Sequence, residues 1–417
     1  MGLVGLNDTM KFTFLGGAEE VGRVGLYVED GADPFLMDYG FTPSDPPQYP
    51  MESPRVRNLI LTHAHLDHSG LVPCITGKYG ARLVGTRTTL ETSEVLLRDS
   101  LKIAQEDGLD IQYSKEDLGN VRNYFEPVRF GRSVDLGSRF CTLHNAGHIP
   151  GSAMVRVDGD DGFLFTGDMN TCDSMLMEGC SPMDASTVFV EGTYSGKEHE
   201  PRNVVARRFL DTVDEVVSRG GKAIVPTFAV GRFQEVIMLL CDMGFDVWAD
   251  GMGRGITRLY LDDPKALRDP DRLKRALSQV TEVRNPTARS RGIDRGEVFV
   301  TTSGMLEGGP VLEYIFKLRS NPKNAILLTG YQVEGTNGDM LLKKGMIHSR
   351  GVNAKVENRV EFFDLSAHAG HTELAGFVRD CNAENVVIYH SDDRQPLADE
   401  LSEFNVILPQ NGKTFEL

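Results

Sequence analysis

The hexapeptide His63-Ala-His65-Leu-Asp67-His68 follows directly on the apolar run Asn58-Leu-Ile-Leu-Thr62. It sets three imidazoles and a carboxylate within six residues, at the end of a segment that reads as a buried strand. A hydrophobic core has no use for that density of ligating groups. Zinc takes imidazole nitrogen and carboxylate oxygen at roughly 2.0–2.2 Å, so the pattern points to a metal centre. The alternative weighed against it is a histidine-rich surface loop.

The bulk of the chain is that of an ordinary globular protein. Its 417 residues predict two or three domains, and 40% hydrophobic with 25% charged residues supports a core of useful size. No apolar run reaches bilayer length, so no membrane partner is expected. The N-terminus lacks the basic and apolar regions of a signal peptide. Gly2 invites myristoylation, but Leu6 stands where Ser or Thr is wanted. Six cysteines (Cys74, Cys141, Cys172, Cys180, Cys241 and Cys381) form no Cys-x-x-Cys pair. That argues against a thiolate zinc finger and a disulfide framework, and for a reducing, cytoplasmic location. The formal charge of −16, from 44 basic and 60 acidic residues, opposes a general polyanion-binding surface. It leaves open one cleft lined by cations, because the field is screened beyond about 8 Å.

Strands alternate with helices, which predicts an α/β fold. Gly25–Glu29 and Phe35–Tyr39 read as a hairpin, Val56–Thr62 as a buried strand and Ser69–Tyr79 as a helix. Ala153–Val157 and Phe163–Thr166 flank a turn-forming Asp/Gly stretch, and Thr187–Glu191 is another strand. Three strand–glycine-loop–helix units follow: Ala223–Thr227 into Arg232–Met243, Val298–Thr302 into Val311–Leu318, and Ile326–Thr329 into Asp339–Lys344. They predict a second, doubly wound parallel layer, with an exposed helical stretch over Leu261–Arg295 between the first two. Strand Arg359–Phe363, a helix capped by Ser366, strand Asn385–Tyr389 and a last helix complete the chain. Asp38, His63, Asp168, Glu191 and His390 all fall at or just past a strand's carboxyl end, where α/β folds gather ligands.

Two further segments extend the metal pattern: Ala146-Gly-His148-Ile-Pro-Gly-Ser152 and Phe165-Thr-Gly-Asp168. Taken alone, His148 reads as a loop histidine and Asp168 as a turn residue. With the hexapeptide they resemble the metallo-β-lactamase superfamily, in which these patterns recur in this order. The resemblance implies one zinc on His63, His65 and His148, a second on Asp67, His68 and a further ligand, and Asp168 bridging both. Asp38, ending Phe35-Leu-Met-Asp38, would accept an N–H from a ligating histidine and fix its tautomer. Gly16-Gly-Ala-Glu-Glu-Val-Gly-Arg23, Val190-Glu-Gly-Thr-Tyr194, Pro226-Thr-Phe-Ala-Val-Gly-Arg-Phe-Gln-Glu235, Thr302-Ser-Gly-Met-Leu-Glu-Gly-Gly-Pro310 and Leu328-Thr-Gly-Tyr-Gln-Val-Glu-Gly-Thr336 are similar to the β-CASP nuclease group. Asp364-Leu-Ser-Ala-His368-Ala and Val387-Ile-Tyr-His390 match that group's late histidine motifs. The likeness runs from Leu15 to about Asp393. It is nearer to the archaeal cleavage-and-polyadenylation-factor branch than to RNase J, and to its short type without KH domains.

The resemblance implies a metallo-β-lactamase αββα sandwich over 1–192 and 356–417, with an inserted parallel-sheet β-CASP domain over 193–355. It implies two Zn2+, His390 completing the second metal's shell, and His368 in a first helical turn as proton donor at the scissile phosphate, oriented by Glu191. Gly231-Arg232 and Gly308-Gly-Pro310 sit at predicted helix starts, which favour phosphate. Arg232, Ser303, Gly304, Gly308, Gly309 and Tyr331 are therefore candidate RNA contacts. Arg254, Arg258, Arg289, Arg291, Lys343, Lys344 and Arg350 are candidates for an RNA track in a cleft between the domains. The chain departs from the group at Ser391-Asp-Asp after His390 and at Gly370 after Ser-Ala-His-Ala.

These features predict a zinc-dependent ribonuclease. A hydroxide shared by two zincs about 3.5–4 Å apart would attack phosphorus in line, giving 5′-phosphate and 3′-hydroxyl ends. Internal cleavage and 5′→3′ trimming both fit, in RNA 3′-end processing or decay, and the group often forms homodimers. The rivals are a glyoxalase-type hydrolase with the same metal site and a non-catalytic RNA-processing subunit.

Overall fold

The computed structural model describes residues 10–44, 46–159, 161–349 and 351–417. The N-terminal motif around Gly2 and Leu6, and Arg350, lie outside the described residues. The chain divides into two compact units: Met1–Asp173, Gly179–Glu198 and His368–Leu417 form the first, and Ser174–Glu178 with His199–Ala367 form the second.

The first unit contains two seven-stranded sheets. One runs Thr414–Glu416, Lys11–Gly16, Gly25–Glu29, Phe35–Met37, Asn58–Ile60, Arg82–Gly85, Phe125–Pro127. The other runs Asn405–Ile407, Asn385–Tyr389, Thr187–Glu191, Phe163–Phe165, Ala153–Val157, Phe140–Asn145, Ser133–Asp135. Alternation in Lys11–Gly16 turns Phe12 and Phe14 inward, where they join Phe163, Phe165, Phe189 and Tyr389 of the other sheet in one core. Phe12 meets Phe163 edge-on at 5.3 Å, and Phe165 stacks on Tyr389 at 4.8 Å. Such ring pairs add about 0.5–1.5 kcal/mol each beyond burial. They anchor Tyr389, whose successor is His390. Helices Val72–Tyr79, Arg87–Asp107 and Lys115–Asn120 cover the first sheet's outer face. Helices His371–Asp380 and Gln395–Glu400 cover the second's. The result is an αββα sandwich.

Local structure departs from the expectations at three places in this unit. The strand expected over 56–62 is only Asn58–Ile60, so the chain is irregular before the histidines. The helix expected over 69–79 is two helices, Leu66–Ser69 and Val72–Tyr79, with Leu71 non-helical between them and Pro73 in the second helix's first turn. The late helix begins at His371 and is capped by Gly370, whose N–H is accepted by Glu373 at 2.8 Å. His368 therefore lies in the loop before that helix, and Ser366 is not its cap.

The second unit is built on a six-stranded parallel sheet ordered Thr281–Glu282, Val247–Asp250, Val298–Thr301, Ala223–Pro226, Ala325–Leu328, Arg359–Phe362. All three predicted strand–loop–helix units are present, with helices Arg232–Leu240, Val311–Leu318 and Asn337–Lys344. The 261–295 region is helical, with helices starting at Pro270 and Pro286 behind caps Asp269 and Asn285. Arg359–Phe362 is the last strand of this sheet. It pairs with Ala325–Leu328 in parallel register, Ala325 with Arg359 through Leu328 with Phe362, and the second unit runs on to Ala367. Glu235 draws Ser174–Glu178 into the same unit by accepting the Met175 and Leu176 N–H groups, each at 3.1 Å. Among the described residues, no helix is long and apolar enough to cross a membrane.

Candidate active site

All the ligating side chains named from the sequence come together in the first unit. Asp38 follows strand Phe35–Met37, the hexapeptide follows Asn58–Ile60, Asp168 follows Phe163–Phe165, and Glu191 ends Thr187–Glu191. His390 follows Asn385–Tyr389, and its N–H is held by the Gly17 carbonyl at 2.7 Å. Asp38 and His390 both adopt positive φ, at 56° and 52°. Non-glycine residues take that conformation at a cost, which the surrounding structure must over-determine.

The histidine loop is fixed by its neighbours' backbone. The Val24 N–H bonds the Asp67 carbonyl at 2.7 Å, and the Tyr39 N–H bonds the His68 carbonyl at 2.7 Å. This approach requires glycine at position 40, where a Cβ would overlap the Asp67 carbonyl. The His148 loop is held from outside as well. Thr86 and Thr89 hydroxyls donate to the Gly151 carbonyl at 2.7 and 2.8 Å.

The side chains then form overlapping groups. His63, His65, His148 and Asp168 bring ligand atoms within 4.8 Å of one another, as do His63, Asp67 and His68, and His68, Asp168 and His390. Asp168 is shared: its Oδ2 lies 3.4 Å from His63 Nε2, and its Oδ1 lies 3.3 Å from His68 Nε2 and 3.2 Å from His390 Nδ1. His65 Nδ1 and His148 Nε2 converge at 3.1 Å, and Asp67 Oδ2 lies 3.5 Å from His390 Nε2. His63 Nε2, His68 Nε2, His390 Nε2 and Asp168 Oδ1 are buried without a hydrogen-bond partner. Buried polar atoms are rarely left so, and four of them converging as an N/O donor set fit a divalent cation.

Electrostatics agree with that fit. Burial pushes the His63 imidazole well below its ordinary pKa, with His68 adding to it, and burial also lowers His65. Burial opposes charge on His68 too, but Asp168 and Asp38 hold it well above the ordinary range. His390, also buried, is pushed up to about 10 by Asp168 and Asp67. Burial disfavours charge on Asp168, yet His68, His390 and His63 hold its carboxyl well below the usual range. His63 and His65 are thus favoured as neutral donors, while the protons that the carboxylates draw onto His68 and His390 are what a bound cation would displace.

Asp38 carries the orientation. One oxygen accepts the Thr62 N–H at 2.8 Å, while the other accepts the Thr62 hydroxyl and His68 Nδ1–H, each at 2.7 Å. Thr62 Oγ1 also lies 3.1 Å from His63 Nδ1. Asp38 and Thr62 thus fix two imidazoles with Nε2 turned toward Asp168. Thr62 was not singled out from the sequence; its only signal is its place between the apolar strand and the hexapeptide. Thr193, whose hydroxyl lies 3.3 Å from His390 Nδ1, was missed likewise.

His368 and Glu191 form a pair beside the cluster. His368 Nδ1 lies 2.8 Å from Glu191 Oε1, and its Nε2 lies 4.0 Å from Asp168 Oδ2. Glu191 also accepts the Met169 and Thr193 N–H groups at 3.0 and 3.1 Å, which fixes the carboxylate. Burial opposes charge on His368, but Glu191 raises its pKa above the ordinary value. The departures from the group's pattern are locally accommodated. Gly370 is the helix cap, and the buried Ser391 hydroxyl accepts the Asp393 N–H at 3.3 Å.

The candidate RNA contacts lie in the second unit. Arg232 opens its helix but is buried, and its charge helps lower the Asp364 and Glu235 carboxyls. Ser303, Gly304, Gly308 and Gly309 share one loop, closed by Ser303 Oγ to the Gly308 carbonyl at 3.3 Å and tied by Gln332 to the Gly304 carbonyl at 3.1 Å. Tyr331 is 55% exposed. Arg254 and Arg258 both face Glu282, Arg289 bonds Asp250 and Glu313, and Lys343 pairs with Asp339. Those four cations are engaged within their own unit.

Comparison with known proteins places this geometry. The Metallo-beta-lactamase superfamily profile matches residues 22–226, the Beta-Casp domain profile 234–341, and the Zn-dependent metallo-hydrolase RNA specificity domain profile 353–409. The chain is 36% identical to RNase aCSPSF2 of Saccharolobus solfataricus, over 97% of this chain and 84% of that protein. It is 32% identical to Probable RNase MJ4 of Methanocaldococcus jannaschii, over 93% of this chain and 94% of that protein. A crystal structure of a protein of unknown function from Enterococcus faecalis V583 shares the fold, with TM-score 0.63 at 13% identity over 98% of this chain and 100% of that one.

Proposed function

The chain belongs to the β-CASP ribonuclease group of the metallo-β-lactamase superfamily and is a phosphodiester hydrolase; from that premise we propose that it binds two zinc ions and cleaves RNA to 5′-phosphate and 3′-hydroxyl ends. The observation that carries the reading is Asp168, shared between two groups of buried ligand atoms, beside the His368–Glu191 pair. His63, His65 and His148 would hold one ion, and Asp67, His68 and His390 the other, with Asp168 common to both. Zinc in such a centre acidifies water and neutralises charge on a phosphate.

The chain's own residues supply the rest. Asp38 and Thr62 keep the His63 and His68 rings turned toward Asp168. Glu191 holds His368 protonated at Nδ1 and raises its pKa, so Nε2–H is available to the leaving 3′-oxygen as it gains charge. Burial around Asp168 excludes bulk water and strengthens each charge interaction.

The test compares 5′-triphosphate, 5′-monophosphate and circular RNA as substrates of the zinc-loaded protein, with metal content measured alongside. The reading expects about two zincs per chain and RNA hydrolysis. Cleavage of the circle identifies internal cutting; turnover restricted to the 5′-monophosphate substrate identifies end-dependent trimming. Metal-loaded protein that hydrolyses a thioester and leaves all three RNAs intact contradicts it. The homodimer belongs to the same proposal and is read by sedimentation velocity.

A further inference from the structure

The chain passes between its units at Glu198–His199 and again at Ala367–His368. Within the second unit, His199 Nδ1 lies 2.7 Å from Asp364 Oδ2, and Arg202 Nη1 donates to the Ser366 carbonyl at 2.7 Å. Arg202 is held in turn by the buried Glu235, Nη2 to Oε1 at 3.0 Å. Within the first unit, Glu198 accepts the Thr372 N–H at 3.0 Å and also its hydroxyl. The Lys197 carbonyl accepts the His371 N–H at 2.9 Å, and His371 Nδ1 accepts the Gly196 N–H at 3.0 Å. Segments 196–202 and 364–372 are thus bridged on either side of His368.

His368 sits on a loop with no helix or strand of its own to set its register. Its backbone is placed by what holds residues 364–367 and 369–372. The later side is also fixed by the Ala369 N–H on the Met169 carbonyl at 2.8 Å. On the earlier side, His199 holds Asp364, which in turn accepts the Ser366 N–H at 3.2 Å, and Arg202 holds the Ser366 carbonyl. Neither residue is a metal ligand, and both lie in the unit that holds none of the seven ligating side chains.

We propose that His199, Asp364 and Arg202 are positioning residues for His368: the His199–Asp364 pair and the Arg202–Ser366 bond fix Asp364–Ala367 so that the imidazole is delivered in register to the leaving oxygen. The inference rests on reading His368 as the leaving-group acid. A misplaced acid lowers turnover where the leaving group needs a proton and spares a leaving group that departs without one.

The experiment compares wild type, His199→Ala, His199→Asn, Arg202→Ala and His368→Ala in zinc-loaded full-length protein. The substrates are a defined single-stranded RNA and a p-nitrophenyl phosphodiester. His199→Ala should lower kcat on RNA by about 10-fold or more, with KM and p-nitrophenyl turnover each within about twofold of wild type. Its zinc content should match wild type. His199→Asn, whose Nδ2–H can replace Nδ1–H toward Asp364, should recover most of the loss. Unchanged RNA turnover, or an equal loss on both substrates, overturns the proposal. If His199→Ala does not fold, Arg202→Ala is read by the same two ratios. RNA turnover that survives His368→Ala instead overturns the reading of His368 beneath it.

Discussion

Asp38 shows how one carboxylate can organise a site it does not itself ligate. Its two oxygens accept three hydrogen bonds, from the Thr62 backbone, the Thr62 hydroxyl and His68. An amide in its place offers one oxygen and an NH2 that clashes with a donor. Asp38→Asn should therefore lower zinc affinity by about 10–100-fold with the fold retained, measured by competition against a chromophoric chelator. Wild-type affinity in that variant would refute the orienting role. The convergence of the candidate ligands was legible in the sequence because their chemistry resides in residue type: His63, His65, Asp67, His68, His148, Asp168 and His390 fall in overlapping groups that could hold a metal. Thr62, Thr193 and Gly40 were not. A hydroxyl that relays a hydrogen bond, and a glycine needed only because another backbone passes close, look like any threonine or glycine until the segments meet.

At the scale of elements, the same carboxylate chemistry joins distant segments. Glu235 is buried, accepts the Met175 and Leu176 N–H groups, and bonds Arg202. Burial opposes its charge, but Arg202 and the Met175 N–H hold its pKa below the ordinary value. A depressed folded pKa means that its contribution is fully present above the unfolded carboxylate pKa, near about 4.3, and is lost as pH falls through the folded value. Glu235→Gln should cost roughly 3 kcal/mol at neutral pH, the lower end for breaking a buried pair because Arg202 is partly exposed, and the gap to wild type should narrow as the solution is acidified below that range. Parallel urea titrations of both proteins at neutral and acid pH read the difference; a constant gap would contradict the assignment. Strands of β-branched residues such as Ala223–Pro226 and Val298–Thr301 were legible from pattern alone. Val247–Asp250 was not, because its terminal Asp250 is satisfied by Arg289 and Tyr314 far along the chain. Arg359–Phe362 is a different case. Its sequence shows a strand, but only pairing to Ala325–Leu328 shows which sheet it joins.

At the scale of the whole molecule, chemistry and candidate RNA contacts are divided between units. The ligating cluster, Glu191 and His368 belong to the first; the loops around Ser303, Gly308 and Tyr331 belong to the second. A formal charge of −16, with Arg254, Arg258, Arg289 and Lys343 facing carboxylates, disfavours indiscriminate RNA binding. On the proposed function, metal held by this cluster would supply the attraction for a phosphate, and water rather than the ribose hydroxyl would be the nucleophile. The ends of the products report that choice directly. After digestion of a defined RNA by the zinc-loaded protein, end-group mapping should find 5′-phosphate and 3′-hydroxyl termini, and 2′,3′-cyclic phosphate termini would contradict the account.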